Sequence, residues 1–72
     1  MSKISLLNAV KQKFLSQEAT AIATLELYIN DPVGVAEHSG VVDEIEKQVR
    51  ILAEAKECLT LLESVMKPPT AE

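Results

Sequence analysis

The sequence predicts an all-α protein, an antiparallel two-helix hairpin that assembles into a helical bundle as a homo-oligomer. Three observations carry this expectation. Two long segments of matched length each place apolar residues at three-and-four spacing. Between them lies a single Pro- and Gly-bearing connection, Asp31-Pro32-Val33-Gly34-Val35-Ala36-Glu37-His38-Ser39-Gly40. Together the two segments carry more apolar surface than two helices can cover. All 72 residues form one domain: helix 3–30, loop 31–39, helix 40–67 and a frayed tail 68–72.

The first segment opens at Ser2, whose side-chain oxygen can cap a helix. Ile4, Leu7, Phe14, Ala21, Leu25 and Tyr28 then form one stripe, interrupted by Lys11 and Glu18 where further apolar residues are due. Leu15, Ala19, Ile22 and Ile29 run beside it. The small side chains from Ala19 to Ala23 permit close helix approach. Pro32 ends the segment, because its ring disfavours helical geometry at Asp31 and it has no N–H to donate.

Ser39 is the expected cap of the second helix. Asp43, Glu44 and Glu46 follow in its first two turns, where negative charge suits the helix dipole. Its main stripe is Ile45, Leu52, Leu59 and Met66, with Val42 and Val49 on one flank and Ala55 and Leu62 on the other. Asp43–Lys47, Glu46–Arg50 and Glu63–Lys67 are spaced four apart in the favourable acid-first order and mark the solvated face. Pro68-Pro69 ends the helix.

The expectation of a homo-oligomer, with a dimer favoured, rests on the far end of helix two. Ile51, Cys58 and Val65 form a separate line, and Leu61 broadens the apolar perimeter. The start of helix one, with Ile4, Leu7 and Val10, is apolar on more than one side as well. These seven residues are the expected oligomer interface. A small domain with a marginal core needs disulfides, a metal or association. Cys58 is the only cysteine, so no disulfide forms within one chain, and one Cys with one His makes a poor zinc site. The lone cysteine fits a reducing compartment.

Net charge is −4, unevenly spread. Residues 31–48 carry Asp31, Glu37, Asp43, Glu44 and Glu46 against Lys47 alone. Nucleic-acid binding requires a basic face, so this balance argues against it. No basic rim borders the apolar surface, which argues against membrane binding. No cofactor is expected, and no enzyme: the sole histidine, His38, has Glu37 beside it but no nucleophile, second histidine or phosphate-binding loop to work with. Asp31, Val33, Val35, Glu37 and His38 are instead the candidate partner-binding loop.

The turn Tyr28-Ile29-Asn30-Asp31-Pro32-Val33-Gly34-Val35-Ala36-Glu37-His38-Ser39-Gly40 resembles the Asn-Pro or Asn-x-Pro, Val-Gly-Ile/Val-Gly-Glu-His turn of small tailed-bacteriophage proteins. Those proteins likewise place an acidic, Leu/Ile-patterned helix after the turn, as in Val42-Asp43-Glu44-Ile45. Asp31 and Ala36 stand where that pattern often has Asn and Gly. The resemblance implies a phage origin and action in the cytoplasm of the infected bacterium. It implies no activity. The leading expectation is a non-catalytic accessory protein that oligomerises and binds another macromolecule, such as a host or defence protein. The alternatives are an oligomeric binder of a nucleotide signal, with Lys11, Lys13 or Arg50 from several chains converging, and a virion structural or assembly protein.

Overall fold

A computed structural model describes residues 2–30 and 40–67. Two helices make up the fold: α1, Lys3–Asn30, and α2, Val41–Met66. They run 28 and 26 residues, so each is on the order of 40 Å long. They pack against one another along their length as a hairpin. The second helix is one residue shorter at each end than the span 40–67 read from the pattern. Pro32, the turn around it and Pro68-Pro69 lie outside the described residues.

Both helix starts have identifiable causes. Ser2 caps α1 as expected: the Ser5 N–H donates to Ser2 Oγ at 3.1 Å, and the Leu6 N–H donates to the Ser2 carbonyl at 3.1 Å. At α2 the expectation is corrected. The cap position belongs to Gly40 rather than Ser39, and among the described residues no side chain caps this end. The Glu44 N–H donates to the Gly40 carbonyl at 3.0 Å, and the dipole is met by Asp43 and Glu44 in the first turn. At the other end, Lys67 turns extended, with ψ 138°, while its N–H still donates to the Glu63 carbonyl at 3.0 Å. Pro68 explains that turn, because a proline pushes the residue before it out of helical geometry.

The helices meet at small residues. Ala21 and Ala55 are each 1% exposed, and with Val41 they are the buried apolar residues of the described structure. Around Ala21, the half-buried positions of α1 are Leu7, Phe14, Leu15, Thr24, Leu25 and Tyr28, with Lys11 and Glu18 among them. Around Ala55, α2 contributes Ile45, Leu52, Leu59, Leu62 and Met66. Each seam recurs every seven residues, the repeat of helices that wrap gently about one another. Alanine at the closest approach lets the backbones come together, but it contributes little apolar area. Among the described residues no large side chain is fully buried. The bulky residues of the seam, such as Phe14, Leu25, Leu52 and Leu59, are therefore only half-covered.

Candidate interaction surfaces

The charged interruptions of the first stripe have a structural reason. Glu18 lies in the seam with its side chain 22% exposed, and its Oε2 is 3.2 Å from Lys56 Nζ across the hairpin. Lys11 lines a cleft with Glu63, Met66 and Lys67. Both residues occupy seam positions that would otherwise carry leucine. Of the three expected acid-first pairs on α2, Glu46–Arg50 is the one that closes, at 2.8 Å between Oε2 and Nη2. Gln48, half-buried in the seam, instead donates from Nε2 to Glu44 Oε2 at 3.3 Å.

The Glu18–Lys56 pair marks the register of the two helices, and with that register the outer residues fall on two faces. Leu15, Ile22 and Ile29 of α1 lie on the same side as Val42, Val49 and Lys56 of α2. Leu6, Val10, Lys13, Gln17 and Thr24 lie on the opposite side, with Ile51, Cys58, Leu61 and Val65. The second grouping is visible in the cleft that Gln17, Thr20 and Thr24 share with Lys47, Ile51 and Glu54.

Each face has an apolar half. On the first face the exposed apolar residues are Ile22, Ile29, Val42 and Val49, all in the half nearest the connection. Toward the open end, that face turns polar with Asn8, Lys11, Lys56 and Glu63. On the second face the order is reversed. The polar cleft occupies most of the connection half, beyond which Leu27 stands exposed, and Leu6, Val10, Leu61 and Val65 are exposed at the open end.

The seven residues expected at an interface divide accordingly. Val10, Leu61 and Val65 are exposed on one face, at 40%, 66% and 62%, and Ile4 is exposed beside the seam. Leu7, Ile51 and Cys58 are half-buried along the hairpin seam, so these three already serve the packing of α1 on α2. Ile51 and Cys58 are thus less open than their separate line in the sequence implied, because α1 partly shelters that flank of the second seam. The patch formed by Ile22, Ile29, Val42 and Val49 was not singled out from the sequence. Its signal was present: Ile22, Ile29, Val42 and Val49 all flank a stripe rather than belong to it.

Asp31, Val33, Val35, Glu37 and His38 lie outside the described residues. Among the described residues no group of three or more metal-ligating side chains gathers, and no helix is long and apolar enough to cross a membrane. Arg50 is held by Glu46, and Lys11 and Lys13 lie on different faces. The chain matches no known protein family, no curated protein and no solved structure.

Proposed function

We propose that this chain is a non-catalytic interaction module that works as a homo-oligomer and presents its remaining apolar surface to a second macromolecule. One observation carries the reading: exposed apolar residues gather into two patches, on opposite faces and toward opposite ends of the hairpin, with Leu27 apart from both. Contiguous apolar patches on soluble proteins mark surfaces that meet other molecules. Two patches so placed serve two associations without competing.

The patch of Ile22, Ile29, Val42 and Val49 suits a protein partner. Its rim carries Glu26 and Glu46, so the complementary segment is an amphipathic helix with apolar anchors and basic flanks. The resemblance of the turn to tailed-phage proteins gives the setting proposed here, the cytoplasm of an infected bacterium, with a host or defence protein as the partner.

The test is affinity capture from infected bacterial extract, read by mass spectrometry, with the unaltered chain and with Ile22→Asp/Val49→Asp. A protein retained by the first and lost with the second is the expected result. Identical recovery with both chains would remove this patch from the reading. A sedimentation run showing only monomer at micromolar concentration would remove the oligomer.

A further inference from the structure

We infer that the second copy docks on the face bearing Leu6, Val10, Leu61 and Val65, about a two-fold axis running along the length of the hairpin, so that each α1 lies over the partner's α2. This rests on the oligomer reading above and specifies its face and geometry.

The first argument is area. The chain has an accessible surface of 5758 Å² at a mass of 7.9 kDa. A compact monomer of that mass would expose roughly 4,400 Å². The difference exceeds the roughly 800 Å² that each partner of a stable pair covers.

The second argument is where the apolar residues sit. Glu18 opposite Lys56 places Lys13 level with Leu61 and Val10 level with Ser64. Leu6 and Val10 on one helix and Leu61 and Val65 on the other therefore share the open end. A lengthwise axis keeps open end upon open end and lays this patch on its own copy. An axis across the hairpin at mid-length would set Leu6 against the partner's exposed Leu27 but lay Leu61 and Val65 on the cleft that Lys47, Ile51 and Glu54 line.

Charge is the third argument, and it favours the same face. On the docking face α1 carries Lys13, and α2 carries Lys47 near the connection and Glu54 with Glu57 toward its rim at mid-length. With α1 over the partner's α2, Lys13 stands level with Leu61 of the other copy, one helical turn from the partner's Glu57. Opposite charges meet at both rims of the pair. The same operation on the other face would bring Glu26 near the partner's Glu46, whose charge is already taken up by Arg50, so no opposite charge is left to meet it. A face that offers its own copy no charge pair is the less suited to self-pairing. The first face is thereby left open for a different molecule.

The geometry also brings the two Cys58 thiols to one height beside the axis, since a lengthwise two-fold preserves height. That supplies a reporter already present in the chain. Sedimentation equilibrium of the unaltered protein should give a dimer at micromolar concentration. A short bis-maleimide should then link Cys58 to Cys58 in high yield. Leu61→Asp should shift the dissociation constant upward by at least tenfold, whereas Val49→Asp should leave it within threefold. Lys13→Glu and Glu57→Lys should each weaken the dimer several-fold, and the two together should restore it.

Circular dichroism of each variant separates lost pairing from lost helix. A dimer that survives Leu61→Asp but not Val49→Asp would overturn the assignment of the face and leave the oligomer reading intact. A dimer that fails to cross-link through Cys58, or a charge swap that does not restore it, would overturn the lengthwise axis. A monomer would overturn both the inference and the reading beneath it.

Discussion

Glu18 of α1 and Lys56 of α2 meet across the hairpin at 3.2 Å, the carboxylate 22% exposed and the ammonium side chain 61%. The position of Glu18 interrupts an otherwise apolar stripe, and the pair states which residue of one helix faces which of the other. A polar residue in a helix seam commonly fixes register at some expense of stability. Here it separates the chain's two apolar faces.

The strength of this pair is measurable. A double-mutant cycle with Glu18→Ala and Lys56→Ala should give a coupling of about 0.2–1 kcal/mol, because Lys56 remains largely in water. The coupling should shrink as salt is raised from about 0.05 M to 1 M. Urea unfolding followed by circular dichroism reads it. A coupling indifferent to salt would mean the two side chains act through packing alone.

The closest approach of the helices depends on Ala21 and Ala55, each 1% exposed. Ala55→Leu should overpack the seam and destabilise the fold by about 1–3 kcal/mol. Thermal unfolding would show a lowered midpoint. An unchanged midpoint would mean that the backbones at Ala55 have room the structure does not show.

Gly40 caps α2 without a side chain, at φ −93° and ψ 8°, and a Cβ there meets nothing within 4 Å. Its backbone is open to any residue, so glycine only adds freedom to the unfolded chain. Gly40→Ser should stabilise the protein by about 0.5–1 kcal/mol, through that lost freedom and a new hydroxyl near the helix start. Calorimetry should record the higher midpoint, and a lower one would mean the connection needs glycine there.

At the opposite terminus, Ser2→Ala removes the acceptor for the Ser5 N–H. The loss should be about 1 kcal/mol at most, and confined to the first turn of α1, where fraying absorbs part of it. Faster amide exchange at Ser5 and Leu6, with the rest of α1 unchanged, is the expected record.

Ile29 and Val42, 69% and 72% exposed, pack little within the hairpin. Replacing both with serine should alter the stability of the chain by less than about 1 kcal/mol. Capture of the proposed partner should fall nonetheless. A large drop in stability would show that this patch is covered within the protein rather than by another molecule.

Much of the architecture was readable from residue spacing. The three-and-four periodicity is a property of the chain itself, so both helices, Ser2 as a cap and the acid-first pair Glu46–Arg50 could be read directly. The cap of α2 was misplaced by one residue, since capping by Ser39 and by Gly40 differ only in local geometry that sequence leaves open. The interface residues were readable only in part. Leu61 and Val65 stand exposed, but Ile51 and Cys58 are half-covered, because how far a helix turns about its own axis depends on its neighbour.

By itself, then, the sequence determined two amphipathic helices, their lengths and the excess of apolar side chains over what one hairpin can shelter. Periodicity and composition suffice for these, being counts along a single helix. Tertiary structure alone decided that Ala21 and Ala55 occupy the closest approach, that Glu18 reaches Lys56, and that the uncovered residues separate onto opposite faces. Register between two helices is a relation between them, set by packing and a cross-helix charge pair, and no pattern within either helix specifies it.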